Sequence, residues 1–376
     1  MIEDKSLYDL VYFSFLFLGV FIISLLIIPK IRRLSIKLNF TDIPDNRSSH
    51  TSSVPSFGGV AFYISYIIVL FFSQSLDIHY VSLTLLVSIS ILFFTGLFDD
   101  MRDLSPRIKF LGQFIAVSIL MTQPDFRILS LHGFMGIYEI PLYLSIFGST
   151  FFLLGLINAV NLIDGIDGLT GITGILIASC YSFIFYELGY FFYLSISITT
   201  IATLLAFLRF NFSRSRKIFM GDTGSLVIGL VMGVLTLKLM SLGNEAYSSL
   251  SFKREQLPLF LIAVLFVPIL DIMRVMFLRA VRGVSMFRPD RNHVHHIITD
   301  FGFSHLKASF FIGTLNFMAA VIMFFVIQRF TFLASFFLLI ALFFIAIVVL
   351  FMMDRNLTAL KLKAKIKRSM LKMLSL

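Results

Sequence analysis

The chain contains no tryptophan and a single cysteine, and only 14% of its 376 residues are charged. One cysteine, Cys180, cannot close an internal disulfide or build a Cys-based zinc site, and its place in an apolar run makes it packing material. Without Trp the usual aromatic belt cannot be read, so Tyr, Phe and charged side chains must mark the membrane boundaries. So little charge, beside 58% apolar residues and a mean hydropathy of +0.94, excludes a soluble domain, whose surface could not carry that composition. What remains is an all-α polytopic integral membrane protein, built with 46 phenylalanines.

A membrane-spanning helix needs about 20 apolar residues. Along the chain that rule gives about eleven spans, near 10–29, 58–73, 80–98, 108–122, 144–161, 169–185, 188–208, 221–240, 257–278, 307–328 and 331–353. The first carries no charge and no small-residue cleavage pattern follows it, so it reads as a span rather than a cleaved signal. Segments 30–57, 99–109, 209–217, 279–307 and 354–376 hold 24 of the 31 Lys and Arg residues. Cytoplasmic loops carry that excess, which puts these segments and the C-terminus inside and the N-terminus outside. Residues 1–353 then form one transmembrane domain with cytoplasmic polar loops, and 354–376 a basic amphipathic tail. In the tail Lys361, Lys363, Lys365, Lys367, Arg368 and Lys372 are interleaved with apolar residues, as an amphipathic helix on an anionic leaflet or as a topology anchor. The net charge of +10 does not signal nucleic acid, because it is spread over loops rather than gathered on one face. Near 127–140, two β-prone runs around a Gly-containing turn predict a small external hairpin.

Four polar clusters interrupt the apolar chain, and this topology puts all four on the cytoplasmic side. Asp99 and Asp100 end a span, with Asp103 one helical turn on; three carboxylates repel one another unless a cation sits among them. A hard divalent metal bridging substrate phosphates is the economical solution, and a solvated span end the bland one. Asn158, Asn161, Asp164 and Asp167 recur every three residues, and groups so costly in hydrocarbon must face a cavity or the aqueous edge. Gly165, Gly168, Gly171 and Gly174 read as helix packing. Gly221-Asp222-Thr223-Gly224-Ser225 opens a span where free N–H groups favour phosphate, provided that a metal neutralises Asp222. Phe219, just before it, could stack on a base or simply pack. His293, His295 and His296 with Arg291 suit an anion better than a zinc ion, which demands a fixed geometry.

In order along the chain, Asp45-Asn46-Arg47-Ser48-Ser49-His50, Pro55-Ser56-Phe57-Gly58-Gly59, Asp99 to Pro106 with Lys109 and Gln113, the Asn/Asp repeat, Asn211, Phe219 to Ser225 and Arg291 to His296 resemble the motifs of one family. These are the polyprenyl-phosphate N-acetylhexosamine-1-phosphate transferases, membrane enzymes that move a sugar 1-phosphate from a UDP-sugar to a lipid phosphate and release UMP. The resemblance covers roughly residues 10–350. It implies Mg²⁺, with Mn²⁺ as an alternative, held mainly by Asp222 with Asp99 and Asp100 near it, one of that pair acting as base. It implies a nucleoside pocket of Asn161, Asp164, Asp167, Asn211 and Phe219, with Phe219 stacked on uracil. Arg291, His293, His295 and His296 would hold the sugar-phosphate side, with Arg279 and Arg282 as further candidates, and Arg47 and His50 lie in a phosphate-binding motif. The implied location is the bacterial inner membrane, with the active site facing the cytoplasm.

Pro55-Ser56-Phe57-Gly58-Gly59 and His293-Val294-His295-His296 differ from the cell-wall muramoyl-pentapeptide branch, which usually has Pro-Thr-Met-Gly-Gly and three consecutive His. The chain resembles instead the undecaprenyl-phosphate N-acetylglucosaminyl 1-phosphate transferase branch, which starts O-antigen, teichoic acid or other envelope glycans. The implied partners are a UDP-N-acetylhexosamine, undecaprenyl phosphate and membrane lipids, and a homodimer is compatible with them. The competing reading is a secondary transporter with acidic ion-coupling residues, whose site would sit near the bilayer midplane.

Overall fold

The computed structural model describes residues 2–42, 53–72, 79–243, 252–284 and 292–374, and each of the eleven apolar stretches is helical. The helices are α1 (Ile2–Lys37), α2 (Gly59–Phe72), α3 (His79–Arg102), α4 (Pro106–Leu120), α5 (Leu142–Ile163), α6 (Leu169–Glu187), α7 (Phe191–Asn211), α8 (Asp222–Ser241), α9 (Leu257–Val264), α10 (Phe266–Val281), α11 (Val294–Asp300), α12 (His305–Arg329) and α13 (Phe332–Leu374). Among the described residues, eight helices are long and apolar enough to cross a membrane, or nine spans if a bent pair is one of them. α2 and α4, of 14 and 15 residues, are shorter than that. α13 runs without a break past residue 353.

The bent pair corrects the expectation of one straight span over 257–278. α9, with the 3₁₀ turn before it, and α10 meet at Leu265 with a bend of 71°. Pro268 lies in the first turn of α10 and has no N–H to donate to the Val264 carbonyl, so the ladder cannot run through. Asn316 of α12 makes good the loss: its Nδ2 donates to that carbonyl at 2.9 Å and its Oδ1 accepts from Val267 N at 2.9 Å. A broken helix at membrane depth persists only where neighbouring groups satisfy the freed backbone in this way.

α8 is the axis of the bundle. Every residue from Thr223 to Met240 is buried, against α3 and α5 among others. Close packing needs small residues at its first turn: a Cβ on Gly59 would stand 2.2 Å from Gly224 N, and one on Gly96 2.5 Å from Thr223 N. α2 and α3 therefore lie backbone to backbone against the start of α8.

Two small sheets complete the fold. β1 (Thr41–Asp42) pairs antiparallel with β2 (Val54–Pro55), and the chain beyond β2 straps the segment before α8. Phe219 N donates to Pro55 O at 2.8 Å, and Gly58 N and Gly59 N donate to the carbonyls of Phe219 and Met220 at 2.9 and 3.0 Å. β3 (Ser130–Phe134) and β4 (Ile137–Glu139) form the expected hairpin, turning on Met135-Gly136, both with positive φ (52° and 79°). Two successive left-handed residues match the right-handed twist of a two-residue hairpin loop. The hairpin follows the far end of α4, opposite the α3–α4 junction where the aspartates lie.

Candidate active site

At the α3–α4 end the helices leave a cavity of about 820 Å³, within the roughly 300–1,000 Å³ usual for small-molecule sites. Nine of the candidate site residues line it: Asp99, Asp100, Asn161, Asp164, Asp167, Asn211, Phe219, Asp222 and His296. Clusters more than 190 residues apart in sequence thus share one wall. His293, His295, Arg279 and Arg282 do not line it, and Arg47, His50 and Arg291 lie outside the described residues.

The two adjacent aspartates do different things. Asp100 reaches across to the start of α8, its Oδ1 accepting from Asp222 N at 2.8 Å and its Oδ2 from Thr223 N at 3.0 Å and from the Thr223 hydroxyl. It is the cap of α8, supplied by another helix, and it satisfies N–H groups that the helix start leaves free. Asp99 accepts from Leu104 N at 2.9 Å through Oδ1 and turns Oδ2 to Lys109 Nζ, 3.4 Å away.

Lys109, in the first turn of α4, is the cation that the acidic cluster requires. Its ammonium bonds Asp222 Oδ2 and lies 3.3 Å from Asn161 Oδ1 as well as facing Asp99. Asn161 in turn donates to Asp222 Oδ1 at 2.7 Å and to Ser225 Oγ at 2.8 Å. Two carboxylates and one carboxamide from α3, α8 and α5 therefore point their oxygens at a single positive charge. Among the described residues no group of three or more His, Cys, Asp or Glu side chains forms a metal cage. An all-oxygen set of one or two carboxylates nonetheless suits Mg²⁺, which takes its remaining ligands from water and phosphate.

Further along the wall, Asp164 ends α5, and burial lifts its carboxyl to about 7, opposed by the neighbouring Thr170 hydroxyl and helped by the nearby Asp100 and Asp167. Asp167 is pushed up by its own burial, but the hydrogen bonds and charges of His305 and Lys217 outweigh that and hold it below the ordinary carboxylate range. Lys217 Nζ is 2.7 Å and His305 Nδ1 3.2 Å from Asp167 Oδ2. Lys217 also stands 5.1 Å from the centre of the Phe219 ring. Asn211, buried, donates to Ile218 O at 2.9 Å and so shapes the segment that presents Phe219. On the other side the rings of His293, His295 and His296 follow one another, with centroids 5.7 and 4.2 Å apart, and only the last reaches the cavity.

With this geometry, the comparisons with known proteins become specific. Residues 82–240 match the model of glycosyl transferase family 4. A probable undecaprenyl-phosphate N-acetylglucosaminyl 1-phosphate transferase of Bacillus subtilis is 30% identical over 85% of this chain and 86% of its own length. The chain belongs to this family. Other relatives include the undecaprenyl-phosphate alpha-N-acetylglucosaminyl 1-phosphate transferase of Salmonella typhi, 27% identical over 77% of each chain. The decaprenyl-phosphate N-acetylglucosaminephosphotransferase of Mycobacterium tuberculosis is 30% identical over 78% of each chain. Family 4 membership gives the transporter reading no support, and the charged groups that line the cavity sit at helix ends rather than at mid-span. The family match runs from α3 through α8, the elements that carry the Asp99, Asn161 and Asp222 focus; the His segment lies beyond it.

Three residues gained roles that the sequence did not announce. Lys109 stood in a motif without an assigned function, and Lys217 counted only as a topology charge. His305 opens α12 far from any cluster, and only folding brings it to Asp167.

Proposed function

We propose that the chain transfers N-acetylglucosamine 1-phosphate from UDP-N-acetylglucosamine to a polyprenyl phosphate, undecaprenyl phosphate in the simplest case, with release of UMP. The observation that carries this reading is the convergence of Asp99, Asn161 and Asp222 on Lys109 at the wall of a cavity large enough for a nucleotide sugar. Asp222, Asp99 and Asn161 would hold Mg²⁺, or Mn²⁺, which when bound neutralises charge on the diphosphate.

Phe219 offers its ring to uracil, with Asp164, Asp167 and Asn211 on the nucleoside side, and His296 faces the sugar-phosphate. Arg291, Arg47 and His50 retain the phosphate role that the resemblance implies. An oxygen of the lipid phosphate attacks the β-phosphorus; that bond forms as the bond from β-phosphorus to the bridging oxygen breaks, and UMP leaves with that oxygen. Positioning and electrostatics supply most of the catalysis in such transfers. Asp99, with one backbone donor on Oδ1 and Oδ2 3.4 Å from the Lys109 ammonium, is the better placed of the pair to take a proton from the incoming phosphate. Asp100 is committed to three donors at the start of α8.

The reading includes nine or eleven crossings, the N-terminus outside and the cavity facing the cytoplasm of the bacterial inner membrane, where the product would start an envelope glycan such as O-antigen or teichoic acid. Purified protein, undecaprenyl phosphate, Mg²⁺ and a panel of labelled UDP-N-acetylhexosamines test it. Label entering lipid with UMP release, lost on chelation and in Asp222→Asn, is the expected result; no transfer from any donor by folded protein would overturn it.

A further inference from the structure

Asp271 belongs to none of the four clusters. It lies in the second turn of α10 among apolar residues and is 1% exposed. A carboxylate at that depth costs several kcal/mol unless it is paired and hydrogen-bonded. Its partners account for both oxygens: Oδ2 is 2.7 Å from His293 Nδ1, and Oδ1 accepts from Val294 N at 2.7 Å. Arg274, one turn on and also buried, donates to the Asn292 carbonyl. α10 thus grips three successive residues, 292 to 294, from two adjacent turns.

A carboxylate can only accept, so the proton in the Asp271–His293 contact must sit on Nδ1 of the imidazole. That fixes both the tautomer and the ring plane of His293. His293 is itself 5% exposed, and its ring is nearly parallel to that of His295, at 8°. His295 lies against Gly165 and is followed by His296, which lines the cavity. The order imposed at Asp271 is therefore passed through packed rings to the side chain that meets the cavity.

We infer that Asp271 is a positioning residue for the transfer reaction: through His293 and the start of α11 it holds His296 in place against the sugar-phosphate half of the donor. The inference rests on the transferase reading for its catalytic consequence and on geometry alone for the Asp271–His293 pair. Nitrogen NMR of the full-length, ¹⁵N-histidine-labelled protein in detergent, with His293→Gln to assign the signal, reads the pair whether or not the protein turns over. The expected result is His293 protonated at Nδ1, with that signal lost or shifted in Asp271→Asn.

With UDP-N-acetylglucosamine as donor, Asp271→Asn should raise the donor KM about 10- to 100-fold, on the scale of losing a carboxylate that orients a metal-bound imidazole, and leave the lipid KM unchanged. In a His296→Gln background the same change should cost much less, because residues acting as one unit are not additive. A neutral His293 protonated only at Nε2 in the wild type overturns the pairing. A loss that raises both KM values and multiplies with His296→Gln overturns the positioning role. Should Asp271→Asn not fold, the wild-type spectrum decides alone: Nδ1–H supports the inference and Nε2–H without Nδ1–H sinks it. Absence of turnover with Nδ1–H present would count against the transferase reading and not against the pair.

Discussion

The carboxylate of Asp100 accepts the backbone N–H groups of Asp222 and Thr223 at 2.8 and 3.0 Å, joining the end of one helix to the start of another 122 residues later. Its neighbour Asp99 instead faces the Lys109 ammonium. One peptide bond therefore separates a residue that holds two helices together from one that faces the ammonium at the cavity wall.

Asp99→Asn and Asp100→Asn should consequently differ in kind. Replacing Asp100 removes a charged acceptor from three donors and should cost about 1–3 kcal/mol of stability, seen as a lower melting temperature as well as lost transfer. Asp99→Asn should melt close to wild type and lose turnover. Equal melting temperatures for the two variants would contradict the division of roles.

Lys109 occupies the point on which Asp99, Asn161 and Asp222 converge, so it competes electrostatically with a divalent ion for the same oxygens. Lys109→Met should lower the Mg²⁺ concentration that half-protects the protein against thermal unfolding, while turnover falls. Weaker protection by Mg²⁺ in the variant would place the ion elsewhere.

The carboxyl of Asp164, raised to about 7 mainly by burial, makes a signed contribution to pH-dependent stability. Between the ordinary value near 4 and about 7, the folded protein keeps a proton that the unfolded chain has released, so Asp164 lowers stability as pH rises through that window, by up to about 1.4 kcal/mol per unit. Above about 7 the contribution is constant. Melting temperatures of Asp164→Asn should fall less steeply than wild type from pH 5 to 7; parallel curves would show that Asp164 ionises normally.

Gly59→Ala tests the close approach at the first turn of α8, where the new Cβ would stand 2.2 Å from Gly224 N. Backbone cannot move aside cheaply there, so a loss of about 1–3 kcal/mol or more is expected, along with weaker nucleotide binding as the strap on Phe219 shifts. Wild-type stability would mean that the α2–α8 contact is looser than described.

Much of this was legible in the sequence, for reasons that can be named. Long apolar runs located all eleven helical stretches because hydrocarbon demands a minimum length, and a Gly-containing turn between β-prone runs located the hairpin. The four polar clusters met because charged groups at span ends on one side have few other places to go. The break at Leu265 was hidden, since hydropathy averages across a bend and the group that satisfies it, Asn316, is 49 residues from its partner Val267. The H-x-H-H segment read as one unit facing substrate, yet α11 begins at Val294, and the helical turn sends His295 behind the wall and His296 to its face. Asp271 lies outside all four polar clusters, although an isolated carboxylate within a span is itself a signal.

Placing radiophosphorus in the β-phosphate of UDP-N-acetylglucosamine tests the central claim most directly. If the chain moves the sugar together with its phosphate, the label enters undecaprenyl phosphate-derived lipid and the released nucleotide is unlabelled UMP. Label that stays in UDP while sugar enters lipid, or that never leaves the donor in the presence of folded protein, Mg²⁺ and acceptor, would contradict the account.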